Sequence, residues 1–174
     1  MGTQTTSDLA SAFRQAFGGH PAGVAIVTAA GADGPVGITA SSVISVSADP
    51  AALAFSVSTD STSGAAVLAG HAVAVHLLTI ANHRLAELFA RPGSRRFGTD
   101  MDWYTAPTGE PILRGVGTVL RCAIVSRTPV GAGVLAAARV LQVSDGGSPA
   151  VPLVYHRRTY YGLEQHAALR GRRA

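Results

Sequence analysis

The run Gly23-Val24-Ala25-Ile26-Val27-Thr28-Ala29-Ala30-Gly31-Ala32-Asp33-Gly34-Pro35-Val36-Gly37-Ile38-Thr39-Ala40-Ser41-Ser42 sets the architecture. Residues 23–30 are apolar, with Val, Ile and Thr prominent, which is the composition of a strand. Gly31-Ala32-Asp33-Gly34-Pro35 is dense in turn formers, and a second strand begins at Val36. Together they make a β-hairpin whose second strand runs into a cluster of hydroxyls.

Upstream, Leu9, Ala12, Phe13, Ala16 and Phe17 recur at helical spacing. Ser7 or Asp8 would cap this helix, and Gly18-Gly19 would end it. Downstream, residues 51–58 read as a third strand, with Leu53, Phe55 and Val57 on one face and Ala52, Ala54, Ser56 and Ser58 on the other. A short helix over 61–68, a strand over 71–78 and a helix over 81–90 follow. Further strands fall at 116–126, 134–143 and 152–156. Residues 1–163 form one domain in this reading, and 164–174 a flexible Arg-rich tail. Strands predominate and do not alternate regularly with long helices, which argues against a doubly wound sheet. The pattern fits a mainly β fold with α insertions, a lone antiparallel barrel. The loop from 91 to 110 is longer than ordinary connections and points to function.

Composition removes several kinds of chemistry. The chain has 174 residues, of which 47% are hydrophobic and 14% charged, so a sizeable core is expected. All fourteen basic residues are Arg. Without Lys there is no Schiff-base chemistry, no lysine-held pyridoxal phosphate and no Walker A lysine. The single cysteine, Cys122, excludes an intramolecular disulfide and a multi-thiolate zinc site, and reads as an inert core thiol. The six His show no metal-like pairing, so no metal is expected, and no Gly-x-Ser-x-Gly elbow is present. The longest apolar stretch, 65–81, is interrupted by Gly70, His71 and His76, so no membrane association is expected. Residues 1–8 are polar and lack a signal-peptide pattern, and a cytoplasmic location is the expectation.

Residues 1–90 carry two Arg and five acids, whereas 91–174 carry twelve Arg and five acids. The resulting charges of −3 and +7 hint at an anionic partner for the second half. Sparse aromatics and singly scattered Arg argue against nucleic acid and for a small-molecule phosphate.

Three runs offer such chemistry. In Gly37-Ile38-Thr39-Ala40-Ser41-Ser42, small residues admit close backbone approach, and three hydroxyls add donors suited to a phosphate or polyol. Composition alone favours an ordinary Ser-rich strand end over such a cradle. In Ser56-Val57-Ser58-Thr59-Asp60-Ser61-Thr62-Ser63, Ser61 or Thr62 would cap the next helix, and an anion there would meet its positive end. In Arg95-Arg96-Phe97, a guanidinium can hold a phosphate while the ring covers a flat ligand. The three together suggest a phosphorylated planar ligand.

The order of short motifs over residues 11–163 resembles the flavin reductase family, the small reductase components of two-component flavin monooxygenases. The resemblance rests on Phe13-Arg14, His20-Pro21-Ala22-Gly23-Val24, Val27-Thr28-Ala29, Gly37 to Ser42 and Ser45-Val46-Ser47-Ala48-Asp49-Pro50. It continues through residues 72–78, Leu88-Phe89-Ala90, Arg96-Phe97 with Trp103, Pro111-Ile112-Leu113 and Pro152-Leu153-Val154-Tyr155-His156.

The resemblance implies an FMN-binding split β-barrel, antiparallel and Greek-key-like. It implies an NAD(P)H-dependent oxidoreductase that reduces FMN or FAD by hydride transfer and supplies a partner monooxygenase. Thr39, Ala40, Ser41 and Ser42 would hold the flavin phosphate and ribityl chain. Ser56, Val57 and Ser58 would lie along the ring edge, Ser61 and Ser63 near the ribityl or phosphate, and Arg96 with Phe97 over the phosphate. Family members are usually homodimers with flavin at the interface. Such chemistry asks the protein mainly for positioning, with the reacting atoms at roughly 3–3.5 Å, so no acid–base cluster is needed.

One departure stands out. Many relatives carry Gly-Asp-His before a late strand ending Gly-Glu-Val, the His being associated with the pyridine nucleotide. This chain has Gly131-Ala132-Gly133 there, and Arg139 in place of Glu. No catalytic residue is assigned; His20 and His156 are the candidates, with Arg139 as a further substitute for the missing groups. Ala22 also replaces a frequent Thr. The alternative is a flavin-binding carrier or sensor with impaired or absent reductase activity. A third reading is a degenerate dimer that binds neither ligand and acts through a partner protein.

Overall fold

The computed structural model describes residues 5–146 and 150–163. The Arg-rich tail expected over 164–174 lies outside them. Helix α1 (Thr6–Gly18) leads into strands β1 (Ala22–Gly23), β2 (Ala25–Gly31), β3 (Gly34–Ala40), β4 (Ile44–Ala48) and β5 (Ala51–Ser58). Helix α2 (Thr62–Ala69), strand β6 (Ala72–Leu77), a 3₁₀ turn (Ile80–Asn82) and helix α3 (His83–Ala90) follow. The chain then makes β7 (Trp103–Thr105), β8 (Pro111–Leu113), β9 (Thr118–Val130), β10 (Gly133–Asp145), β11 (Leu153–His156) and β12 (Thr159–Gly162).

The main sheet has seven antiparallel strands in the order β3-β2-β6-β9-β10-β5-β4. No ladder joins β3 to β4, so the barrel expected from the sequence is split rather than closed. A three-stranded sheet, β1-β11-β12, and the pair β7-β8 complete the strands. The hairpin read from the sequence is present, with Gly31 opposite Gly34 across a two-residue turn. Every residue from Ala25 to Ala29 is buried, because both faces of β2 are covered. Ala25, Val27 and Ala29 join Phe55, Val67, Val75 and Ala136 on one side. Ile26 joins Ala74, Phe89, Leu113 and Leu153 on the other.

Several boundaries differ from the sequence reading for physical reasons. Thr5, not Ser7 or Asp8, caps α1; Asp8 instead completes a capping box, its carboxylate accepting from the Thr5 N–H and hydroxyl. Strand β9 runs through Pro129, a residue that argues against strand. Beyond Ala123, β9 loses β6 as a neighbour and pairs only with β10, so Pro129 lies on an edge where no donor is missed. Strands β4 and β12, absent from the sequence reading, pair at sheet edges. The β11–β12 turn consists of Arg157 and Arg158, both in the left-handed region at φ 47° and 62°. Such a conformation costs a non-glycine residue on the order of 1 kcal/mol.

Candidate functional site

The C-terminal ends of β3 and β5 lie side by side, and the fold brings two hydroxyl-rich runs together there. Ser42 donates to the Ser56 carbonyl and accepts from the Ser56 N–H, both at 3.0 Å. Two glycines permit the approach of the flanking helices. A Cβ at Gly37 would stand 2.6 Å from the Phe89 ring of α3, and one at Gly64 would overlap the Val57 side chain of β5. Ser61 caps α2 by accepting from the Gly64 N–H at 3.0 Å.

A cavity of about 330 Å³ opens at this junction, lined by Thr39, Ser56, Val57, Ser58, Ser61 and Ser63 together with Arg96, Phe89, Ala90, Pro92 and Gly93. Arg96 is its principal cation. Its Nη1 donates to the Gly37 carbonyl at 2.8 Å and the Ser63 hydroxyl at 3.0 Å, and its Nη2 to the Arg91 carbonyl at 2.6 Å. The guanidinium lies 5.6 Å from the centre of the Phe89 ring. Its Nε is buried without a hydrogen-bond partner. Burial lowers its pKa from the ordinary value. No carboxylate pairs with Arg96 among the described residues, although exposed Asp60 lies on the same rim.

Two further cavities continue from this one. The middle cavity, about 200 Å³, shares Thr39 and Ala90 with the first and adds Val24, Ser41, Tyr155 and Tyr160. The wide one, about 690 Å³, shares Ser41 and Tyr155 with the middle and Ser56 with the first. It is lined also by Ser42, Phe13, Phe17, His20, His156, Arg157 and Arg158. These adjoining cavities form a groove with a cationic end at Arg96 and a wide end between α1 and the β11–β12 turn.

Most residues singled out in the sequence line this groove. Among the residues read as flavin-binding, the exceptions are Ala40, which is buried in the core, and Phe97, whose ring packs edge-on between Phe89 and Trp103 at 5.3 Å from each. Phe97 takes φ 59°, which lets Arg96 and Phe97 turn to different sides. Not every hydroxyl faces a ligand. Thr39 donates to the Ala86 carbonyl at 2.7 Å and so ties α3 to β3. The Ser41 hydroxyl makes no hydrogen bond among the described residues.

His20 and His156, far apart in sequence, meet on one cavity. Arg139 does not reach it; it is exposed on the sheet, opposite Ala52 and Ala123. Gly131-Ala132-Gly133 forms the β9–β10 turn, and its Ala132 carbonyl accepts from the Thr59 N–H and hydroxyl, both at 3.0 Å. Pro92, Gly93, Tyr155, Tyr160, Arg157 and Arg158 were missed by the sequence reading. Only their place next to quoted motifs pointed to them. Cys122 is fully buried, and its thiol is pushed up to about 12 by burial and then by the Glu110 carboxylate, so it is unreactive. Among the described residues no group of three or more His, Cys, Asp or Glu could hold a metal ion, and no helix is long and apolar enough to cross a membrane.

The strand order makes a split barrel, and hydroxyls and the Arg96 guanidinium line the groove at the ends of β3 and β5. The family model described as "Flavin reductase like domain" matches residues 17–164, and the chain belongs to the flavin reductase family. It is 38% identical over 160 residues to an NADH:FMN oxidoreductase of Rhodococcus qingshengii, covering 90% of this chain and 83% of the relative. The flavin reductase domain protein from Arthrobacter sp. FB24 superimposes with a TM-score of 0.84 at 32% identity, covering 94% of this chain and 99% of the other. BorF, the flavin reductase component of a bacterial two-component tryptophan halogenase, does so with a TM-score of 0.79 at 28% identity, covering 88% and 98%.

Proposed function

We propose that this protein reduces FMN or FAD with NADH or NADPH and hands the reduced flavin to a partner oxygenase. The observation that carries this reading is the groove itself. One end presents a guanidinium that, among the described residues, no carboxylate offsets and whose buried Nε has no partner; the other opens into a space large enough for stacked rings. When bound, the flavin supplies the acceptor ring and the reduced pyridine nucleotide the hydride.

Arg96, Ser63 and the N-terminal amides of α2 would hold the flavin phosphate. The Ser41 hydroxyl, like that of Ser56, makes no hydrogen bond among the described residues and would reach the ribityl chain. Ser56, held in place by Ser42, would fix the ring edge. His20 and His156 flank the wide end, where they would orient the nicotinamide and limit water. The relatives named above support this reading: one is an NADH:FMN oxidoreductase, and one serves a two-component halogenase.

The functional unit in this proposal is a homodimer. No residue of α1 is buried, and Leu9, Phe13 and Phe17 are 58%, 59% and 61% exposed. Phe13 and Phe17 also wall the wide end, so a second copy laid on this face would complete the site. Sedimentation of the purified protein should give twice the chain mass.

The test is oxidation of NADH and NADPH followed by loss of the reduced-nicotinamide absorbance, with and without FMN or FAD. Flavin-dependent, saturable oxidation is expected. Gly131-Ala132-Gly133 at the β9–β10 turn favours one other reading, since it offers no polar side chain to a nucleotide: a flavin carrier or sensor. Flavin binding without oxidation of either nucleotide would establish that reading instead.

A further inference from the structure

The β11–β12 turn places two arginines in the left-handed region, at φ 47° and 62°, where two-residue hairpin turns ordinarily carry Asn or Gly. Both are exposed, and neither has a carboxylate partner among the described residues. Both line the wide cavity, whose lining among the described residues contains His20 and His156 but no Asp or Glu. The turn is anchored, since the Arg157 N–H donates to the Gly18 carbonyl at 2.9 Å, tying it to the end of α1. Two guanidinium groups on an anchored turn beside a cavity, with no carboxylate partner among the described residues, form an anion-recognition element. Arg96 does not line this cavity, so the pair addresses a second anion.

We propose that Arg157 and Arg158 bind the phosphates of the pyridine dinucleotide and provide the donor affinity that Ala132 and Gly133 do not. This inference rests on the reductase reading. Either the pyrophosphate common to both donors or the additional phosphate of NADPH would satisfy the pair.

The test uses the full-length chain and the double variant Arg157→Asn/Arg158→Gly, which retains a favourable turn without the charges. Binding of NAD+ and NADP+ is measured by titration calorimetry, and steady-state kinetics are measured with NADH, NADPH and the phosphate-free donor N-benzyl dihydronicotinamide. Loss of charge-assisted hydrogen bonds is expected to weaken dinucleotide binding and raise its KM by about tenfold or more. The KM for the phosphate-free donor should stay within about twofold, and Arg157→Lys/Arg158→Lys should recover part of the loss. Equal losses with NADH and NADPH assign the pair to the pyrophosphate; a loss confined to NADPH assigns it to the extra phosphate. Unchanged NAD+ and NADP+ affinity in the variant overturns the inference and leaves the reductase reading standing. A rise in KM for FAD alone also overturns it, assigning the pair to the flavin. If the parent chain oxidises no donor in the presence of flavin, the reductase reading fails and this inference with it.

Discussion

Ser42 and Ser56 are joined twice by one hydroxyl, which both donates to and accepts from the Ser56 backbone at 3.0 Å. The link spans the two hydroxyl-rich runs and fixes the separation of the β3 and β5 ends on which the groove is built. Ser42→Ala removes both bonds and leaves a donor and an acceptor at a partly open site. Loss of about 1–2 kcal/mol is expected, seen as a lower midpoint in urea unfolding. Weaker FMN binding should accompany it. An unchanged midpoint and unchanged affinity would show that the link does not position the site.

Arg96 should act on the phosphate rather than on the ring. Arg96→Met is expected to weaken FMN binding by roughly tenfold to a hundredfold, the worth of one or two charge-assisted hydrogen bonds. Riboflavin, which has no phosphate, should lose far less. Fluorescence titration of both ligands against parent and variant makes the comparison. Equal losses would mean that Arg96 serves only to tether Gly37, Ser63 and Arg91.

His76 supplies a pH dependence of stability. It is fully buried between two strands; its Nδ1 faces the Ile26 carbonyl at 3.2 Å, and its Nε2 accepts from the Leu113 N–H at 3.0 Å. That bond requires a neutral ring. Burial lowers the pKa from 6.5 to about 4, against smaller opposing effects of the Ile26 and Ala74 backbone. The unfolded chain therefore takes up a proton near its ordinary pKa, while the native state resists until about pH 4. Stability from this group is complete above the ordinary pKa and falls as pH drops through that window, by ~1.4 kcal/mol per unit and roughly 3 kcal/mol in all. Urea unfolding across the window should display the slope, and His76→Gln should flatten it even if its stability is lower at every pH. An equal slope in both proteins would assign the effect elsewhere.

The sequence showed most of the fold because its strongest signals were local. The Gly31 to Pro35 turn and the alternation of Leu53, Phe55 and Val57 each suffice for an element. Strand β4 was missed although Ile44-Ser45-Val46-Ser47-Ala48 alternates as a strand does; the run is short, and its apolar residues Ile44 and Val46 face outward rather than into a core. Pro129 disguised the reach of β9, since whether it interrupts a ladder depends on which strand lies beside it. The site was legible as two hydroxyl runs and an Arg-Phe pair. Which hydroxyls face a ligand was not, because the partners are remote: Ala86 for Thr39 and Ser56 for Ser42. Phe97 illustrates the same point, for adjacency to Arg96 in sequence did not place its ring in the groove.

The last prediction concerns a buried charge away from the groove. Glu110 has no exposed side-chain surface, and its Oε1 accepts from Arg121 Nε at 2.6 Å. Its Oε2 accepts from the Thr108 hydroxyl at 2.6 Å, and Arg121 also donates to Thr108 and Gln142. The network ties the long loop to β9 and β10, so the loop's end is fixed by one arginine. Arg121→Met strands an uncompensated carboxylate, and a loss of about 3–5 kcal/mol is expected. The double variant Arg121→Met/Glu110→Gln removes the charge as well and should recover much of that loss, since a neutral amide can still accept from Thr108. Chemical unfolding of the parent, both single variants and the double variant closes the cycle. Additive losses would show that the pair is not coupled, whereas a double variant more stable than Arg121→Met alone would demonstrate that the stranded charge, and not lost packing, is what destabilises the loop.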